Sequence, residues 1–201
     1  MWPPLRTLAI AAWGLRGYGT GHVPAGGTIL AANHQSFLDP LLIGLAISTR
    51  QLHFIARRTL FRFPPFAWAI RGLNAHPIDR GRGDLAAIRV TLEILRAGGA
   101  IVMFPEGTRT HTGRLGPIKL GVTRIAARAG VPVVPVLVEG SRIVWPRSNP
   151  LPMPGPVNII FGPSMKASES FPGPEDYKDM WIQLSRAPHR RIVGGFPDGQ
   201  S

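Results

Sequence analysis

The segment "TILAANHQSFLDPLLIGLAI", residues 28–47, gives the clearest indication of the fold. Its first five residues are apolar or small, as in a buried strand, and its last eight residues have a helical pattern. The sequence therefore predicts a strand over 28–32 and a helix over 40–47. A histidine, a serine and an aspartate lie at the junction between them. Polar side chains at such a junction call for a structural or functional explanation.

Short apolar runs bounded by Gly, Pro or polar residues predict further strands. They lie at 52–56, 73–78, 100–104, 131–138 and 157–161. Helical patterns lie at 65–71, 84–97, 118–129 and 176–186. Strands that alternate with helices are typical of a parallel sheet covered on both faces. We therefore expect an α/β fold, with a mainly parallel mixed sheet flanked by helices.

Two of these helices have an apolar face that should pack on the core. In the helix over 84–97 the face consists of Leu85, Ile88, Leu92 and Leu95. In the helix over 176–186 it consists of Tyr177, Met180, Trp181 and Leu184.

The length of 201 residues suits one α/β domain, which we expect at 25–187. A helical or interfacial segment at 1–24 precedes it, and a flexible tail at 188–201 follows it. The apolar run near the start is shorter than the roughly 20 residues of a spanning helix, and it does not resemble a signal peptide. It either packs as a first helix or lies on a membrane surface.

The formal net charge is +12, and 20 of the 23 basic residues are arginines. This charge favours an anionic partner, namely nucleic acid, an anionic membrane face or a phosphorylated substrate, although genomic composition bias also produces arginine-rich chains. The chain has no cysteine, which excludes disulfides, thiolate chemistry and cysteine-ligated metal.

Asp39 directly precedes Pro40, and an aspartate followed by proline is a common helix start, so we expect Asp39 to be the N-cap. His34 then lies in the loop before the helix. On a straight helix, side chains five residues apart point roughly 140° apart, so only a loop that turns back brings His34 to Asp39. The alternative is that Asp39 only caps the helix and His34 is solvated.

Two more polar clusters follow predicted strands. Asp79 and Arg80 follow one strand, and Glu106, Gly107 and Arg109 follow another. The carboxyl ends of parallel strands share one edge of a sheet, where open α/β folds bind ligands. We therefore expect these clusters to meet the His34 loop in one site.

The residue types indicate the chemistry of this site. A histidine held by a carboxylate is a general base, so His34 would activate a substrate hydroxyl. Ser36 lacks a nucleophile elbow and is interpreted as a loop hydrogen-bonding residue. Arg80, Arg109 and Lys119 would hold a phosphate.

Glu106 would accept hydrogen bonds from substrate hydroxyls and orient Arg109. A metal site is not expected, because no second histidine or carboxylate lies at ligand spacing from His34.

Taken in order, these motifs resemble those of the glycerolipid acyltransferases of the lysophosphatidic acid acyltransferase (1-acyl-glycerol-3-phosphate acyltransferase) family. The resemblance covers about residues 25–165. Its blocks are His-x-x-x-x-Asp at 33–39, Ile-Asp-Arg at 78–80, Glu-Gly-Thr-Arg at 104–109, Gly-Arg-Leu at 113–115, Lys-x-Gly at 119–121 and a Pro-rich block at 131–136.

The resemblance implies a glycerol-phosphate acyltransferase-like fold and transfer of a fatty acyl group from acyl-CoA or acyl-carrier protein to a lysophospholipid hydroxyl. The main expectation is conversion of 1-acyl-glycerol-3-phosphate to phosphatidic acid, with no bound cofactor. His34 would be the base and Asp39 its orienting partner. The implied substrate-binding residues are Arg80, Glu106, Gly107, Thr108, Arg109 and Lys119, and Pro135 would shape the site.

The sequence departs from the family pattern at Thr59, Asn74, His76 and Pro77. These departures leave the acceptor open, and another lysolipid such as lyso-ornithine lipid is an alternative. A lipid esterase is a second alternative, against which the missing nucleophile argues. A nucleic-acid partner is not expected, because the basic residues are spread along the chain and no nucleic-acid-binding motif occurs.

Residues 57–71 alternate aromatic side chains with arginines. Such a segment can insert aromatic rings into lipid while its arginines meet headgroups. We therefore expect peripheral attachment at the cytoplasmic face of the membrane. Burial of the same aromatic side chains in the core is the alternative.

Overall fold

The computed structural model describes residues 3–47, 50–62, 70–72, 74–78, 83–146, 148–165 and 174–186. The described strands are β1 (Arg16–Tyr18), β2 (Thr28–Ala32), β3 (Leu52–Arg57), β4 (Ala75–Ile78), β5 (Ala100–Met103), β6 (Val133–Glu139) and β7 (Asn158–Phe161). The described helices are α1 (Pro3–Trp13), α2 (Asp39–Ala46), α3 (Gly83–Arg96), α4 (Gly121–Ala129), α5 (Ser141–Val144) and α6 (Pro174–Arg186). Short 3-10 helices lie at Thr20–His22 and Arg58–Arg62.

The described strands form one sheet in the order β1-β7-β6-β2-β5-β3-β4. Only the β6–β7 pair is antiparallel among these described strands. The predicted mainly parallel mixed sheet is therefore confirmed. β2 lies in the middle, with Leu30 paired to Val134 of β6 on one side and to Val102 of β5 on the other. The loop that follows β2 consequently leaves from the centre of the sheet.

Both faces of the sheet are covered, as the alternation of side chains along β2 shows. Leu30 and Ala32 belong to the core beneath α1 and α2. Ile29 and Ala31 belong to the core beneath α3, α4 and α6. The apolar face predicted for the last helix is confirmed, because Tyr177, Met180, Trp181 and Leu184 all pack on the second face.

The structure differs from the sequence-based expectation in several elements. Leu85 is 78% exposed, whereas Ile88 is partly buried and Leu92 and Leu95 are buried, so the core does not extend along α3 as far as Leu85. The predicted helix over 118–129 begins only at Gly121, because the Lys119 amide donates to the Pro105 carbonyl oxygen instead. α5 was not predicted, since four residues carry too little periodicity.

β1 was not predicted either, because Arg-Gly-Tyr has no apolar pattern. It pairs in parallel with β7, so the expected N-terminal segment contributes a strand to the main sheet. The helix predicted over 65–71 is described only at its end, where residues 70–72 are helical. The expected tail at 188–201 lies outside the described residues.

α1 packs on α2 through buried Ala9, and Arg6 Nε donates to the Leu45 carbonyl oxygen at 3.2 Å. The same helix leaves Leu8 and Ile10 exposed. Across the described part of the chain, every helix is too short or too polar to cross a membrane.

His76, one of the departures from the family pattern, hydrogen-bonds to His53, with 3.0 Å between His76 Nε2 and His53 Nδ1. Both residues lie at the amino ends of their strands, on the edge opposite the candidate site. Burial lowers the pKa of His53, and the nearby charges of His76 and Arg50 lower it further. The hydrogen bond joins β3 to β4, and the lowered pKa favours the neutral form of His53.

Candidate active site

The loop after β2 begins with a residue that fixes its direction. Asn33 is buried, and its side-chain amide donates to the Val138 carbonyl oxygen at 3.0 Å and accepts from the Val138 amide at 2.7 Å. These two bonds extend the pairing of β2 with β6 by a side chain. His34 consequently leaves the sheet at a fixed point on its carboxyl edge, as expected.

Asp39 is not the N-cap that the sequence predicts. It is the first residue of α2, Leu38 holds the cap position, and no side chain caps this helix end. Asp39 Oδ2 instead points back into the loop, where it accepts from His34 Nδ1 at 2.8 Å and from the amides of Gln35 at 2.6 Å and Ser36 at 2.8 Å. The loop turns back because three donors converge on one buried carboxylate oxygen.

This contact determines how His34 can act. An ionised carboxylate only accepts hydrogen bonds, so the proton of neutral His34 is on Nδ1 and the lone pair is on Nε2. Nε2 has no hydrogen-bond partner among the described residues, and the side chain remains 18% exposed. The imidazole stacks on Phe104, with 4.0 Å between ring centroids. His34 is thus oriented, basic at Nε2 and accessible.

Ser36 is a loop hydrogen-bonding residue, as predicted. Its side chain is fully buried, donates to the Trp145 carbonyl oxygen at 3.0 Å and accepts from the Leu38 amide at 3.3 Å. A hydroxyl used in this way inside the protein is not available as a nucleophile. It ties the His34 loop to the chain that follows α5.

The loop after β5 lies against the backbone of His34. Glu106 is buried, and its Oε1 accepts from the His34 amide while its Oε2 accepts from the Gly116 amide, both at 2.8 Å. The Thr110 amide donates to the His34 carbonyl oxygen at 2.8 Å. His34 is therefore held on both sides of its peptide backbone. That Glu106 also binds substrate hydroxyls stays a prediction.

The cations of the site lie on the same loop and beside it. Arg109 stacks on Phe37, with 3.3 Å from its guanidinium carbon to the ring centroid. The amine of exposed Lys119 lies over Gly107, where an added Cβ would meet Nζ at 2.8 Å. Gly107 has φ 69°, which also favours glycine. Positive charge thus gathers beside His34, and Thr108 is exposed on this loop.

The remaining expected site residues have different outcomes. Asp79 and Arg80 directly follow β4 in the sequence but lie outside the described residues. No group of three or more His, Asp or Glu side chains suited to a metal ion occurs in the described part.

Two aromatic residues of the site were not singled out from the sequence. Phe37 supports the guanidinium of Arg109, and Phe104 supports the imidazole of His34. Their only signal is position, since Phe37 lies inside the His-to-Asp block and Phe104 directly follows a buried strand. A ring at such a place is equally consistent with burial in the core, so only the folded contacts assign these roles.

The arrangement can remove a proton from a hydroxyl and bind an anion close by. Nε2 of His34 can act as the base, and Asp39 can stabilise the imidazolium that would form. A guanidinium and an amine on the adjoining loop suit a phosphate group.

Comparison with known proteins agrees with this chemistry. A family model described as Acyltransferase matches residues 15–139. The 1-acyl-sn-glycerol-3-phosphate acyltransferases of Brassica napus (chloroplastic) and Pseudomonas aeruginosa are 34% and 30% identical to the chain over 135 and 157 residues. These matches cover 65% and 77% of this chain but 39% and 60% of the two relatives.

A solved structure has the same fold. The crystal structure of the 1-acyl-sn-glycerophosphate acyltransferase PlsC from Thermotoga maritima matches with a TM-score of 0.72 and 25% identity. The match covers 97% of this chain and 79% of that one.

Proposed function

Because the chain belongs to the acyltransferase family, we propose that it transfers a fatty acyl group from a thioester to the free hydroxyl of 1-acyl-glycerol-3-phosphate. The product is phosphatidic acid. The donor is acyl-CoA or acyl-carrier protein, both of which present the same thioester chemistry. The named relatives support this acceptor, although the chain spans less than two thirds of the length of the two described above.

The reaction uses the lone pair of His34. Nε2 accepts the proton of the acceptor hydroxyl as the oxygen attacks the thioester carbonyl carbon. The tetrahedral intermediate then expels the thiolate, the carbon–sulfur bond breaks, and the thiol takes the proton from Nε2. Asp39 balances the charge of the imidazolium between these two transfers. The products are an ester and a free thiol, and His34 returns to its neutral form.

The observation that carries the proposal is the hydrogen bond from His34 Nδ1 to the buried carboxylate of Asp39, which directs Nε2 outward. Arg109 and Lys119 support a phosphorylated acceptor, because both cations lie on or beside the loop that holds the His34 backbone.

A thiol-release assay tests the function. The protein is incubated with palmitoyl-CoA or palmitoyl-carrier protein, with and without 1-acyl-glycerol-3-phosphate, lyso-ornithine lipid or lysophosphatidylcholine. We expect release that depends on 1-acyl-glycerol-3-phosphate and yields phosphatidic acid. Release without acceptor would indicate a lipid esterase, and release with only another acceptor would replace the proposed one.

Arg109→Lys tests the acceptor site. Lysine keeps the charge but loses the planar pair of donors that binds a phosphate in two places. We expect KM for 1-acyl-glycerol-3-phosphate to rise about tenfold, as for one lost charge-assisted hydrogen bond, with a smaller change for the thioester. Steady-state kinetics measure both values. Arg128→Lys, on the exposed face of α4, is the control, and equal losses for both substrates would contradict the assignment.

Glu106→Gln separates two roles of this carboxylate. A glutamine has one acceptor oxygen, so the amide of either His34 or Gly116 loses its partner, which costs about 1–3 kcal/mol of unfolding free energy. We expect a lower kcat with an unchanged KM for the acceptor, because His34 is displaced. Urea denaturation and steady-state kinetics measure these effects. A raised acceptor KM with normal stability would instead support direct substrate binding.

A lysolipid acceptor resides in a membrane, so we also propose peripheral attachment at the cytoplasmic face. The aromatic segment expected to provide it is described only in part, since residues 63–69 lie outside the described residues. Of its aromatic residues, Phe61 is half-buried and lies 6.0 Å below the guanidinium carbon of Arg71.

A further inference from the structure

An exposed apolar surface borders the candidate site on the side of α5. We call it the α5 surface and define it by Phe37, Ile143, Trp145, Leu151 and Met153. Ile143 and Leu151 are 71% and 73% exposed, and Phe37 and Met153 are also exposed. Large apolar side chains that cluster on the solvent-exposed surface of a protein mark an interaction site.

Contacts within the described residues bring together the chain segments that carry these side chains. The ring of Phe37 lies 5.9 Å from that of Trp145. The Met153 amide donates to the Val144 carbonyl oxygen at 2.7 Å, which places the loop after α5 against that helix. Trp145 Nε1 donates to the Asn149 carbonyl oxygen at 3.0 Å, so the loop also folds onto itself.

The α5 surface is continuous with α1 and with the catalytic loop. Trp13 of α1 donates from Nε1 to the Met153 carbonyl oxygen at 3.2 Å, and α1 leaves Leu8 exposed on the same side of the sheet. On the other side, Ser36 donates to the Trp145 carbonyl oxygen at 3.0 Å. Whatever covers this surface is therefore directly beside His34.

The charge of this region selects the kind of partner. Residues 140–168 contain no Asp or Glu. Arg142 on α5 is exposed, lies over Gly113 and has no ion-pair or hydrogen-bond partner among the described residues. Apolar side chains next to tryptophans and an unpaired arginine suit the boundary between lipid chains and anionic headgroups.

We propose that the α5 surface is the face on which the protein rests on an anionic membrane, with Ile143 and Leu151 inserted among the lipid chains. This inference rests on the proposed function for its purpose, which is delivery of a lysolipid from the membrane to His34. It differs from attachment through residues 57–71, because α5 follows β6 whereas those residues begin at the end of β3, and β2 and β5 lie between these two strands in the sheet.

Site-specific fluorescence tests the proposal, because the chain has no cysteine and a single one can be introduced anywhere. Leu151→Cys carries an environment-sensitive nitrobenzoxadiazole label, and vesicles contain equal parts of phosphatidylcholine and phosphatidylglycerol. Leu85→Cys is the matched control, since Leu85 is similarly exposed but lies on α3, which covers the other face of the sheet. We expect a blue-shifted, brighter emission at 151 with vesicles, quenched by brominated lipid chains, and no change at 85.

Vesicle co-sedimentation provides the second measurement. Replacing Ile143 and Leu151 together by serine should lower the partition coefficient about tenfold, and Leu85→Ser by less than about twofold. Arg142→Gln should weaken binding at low salt and lose its effect at high salt. These measurements do not depend on turnover. The proposed membrane-binding surface can therefore be disproved while the proposed acyl transfer is confirmed, and the reverse is also possible.

Three results would overturn the proposal. The label at 151 could remain unchanged while the protein sediments, which would place the lipid contact elsewhere. The label could respond to protein concentration without vesicles, which would indicate a second copy of the chain as the partner. The full chain could stay in the supernatant with anionic vesicles at low salt.

Discussion

His34→Ala lowers kcat by about 10²–10⁴-fold, the range expected for loss of a general base. The folded protein should persist, because His34 lies on a loop at the sheet edge and its side chain contributes one stacking contact and one hydrogen bond. Single-turnover acyl transfer with 1-acyl-glycerol-3-phosphate measures the rate. Binding of the thioester should be nearly unchanged, since the imidazole acts on the proton and not on the donor.

A matched control for this substitution is His111→Ala, an exposed histidine in the turn that follows the Glu106 loop. We expect near-normal turnover from it. Thermal unfolding of both variants separates loss of chemistry from loss of fold. Turnover close to that of the original protein in a folded His34→Ala variant would remove His34 from the mechanism.

Asp39→Asn is the second substitution with a large expected effect, a loss of about 10²–10⁴-fold in kcat. The amide oxygen can replace Oδ2 as acceptor for the loop amides of Gln35 and Ser36. The neutral amide cannot balance the imidazolium, however, and it no longer requires the proton of His34 to be on Nδ1. The variant should therefore retain the loop and lose the chemistry.

Unfolding in urea and single-turnover kinetics test this separation. Asp179→Asn, an exposed acid on α6, is the control and should leave the rate unchanged. If Asp39→Asn keeps the full rate, Asp39 only shapes the loop. If Asp39→Asn unfolds the protein, the three hydrogen bonds to Oδ2 require the negative charge of the carboxylate. Asp39→Glu would then show whether a displaced carboxylate restores any activity.

Much of the architecture follows from local sequence. The run of small and apolar residues at Thr28–Ala32 forms the central strand at its predicted bounds, because a strand buried on both faces needs apolar side chains at every position. Leu85 shows the limit of periodicity. It matches the spacing of Leu92 and Leu95, yet it is exposed, since periodicity identifies a helix face and not how far the core extends along it.

The position of the site also follows from sequence. His34 and Glu106 lie just after β2 and β5. Because parallel strands end at a common edge of the sheet, their proximity can be predicted from the sequence alone. The roles within the site do not follow in the same way. Asp39 before a proline is a good helix cap by local preference, but its carboxylate turns back because His34 and two loop amides are nearer donors.

Local sequence patterns are enough to predict the parallel sheet, the edge that holds the site and the residue types of a base and an anion site. Apolar periodicity and the residues at strand ends are local properties, so they can be recognised without knowledge of distant contacts. The folded structure was needed to show that Glu106 holds the backbone of His34, that Phe37 supports Arg109 and that the α5 surface adjoins the site. These contacts join residues far apart in the chain, and side-chain direction across such separations depends on packing that no local pattern contains.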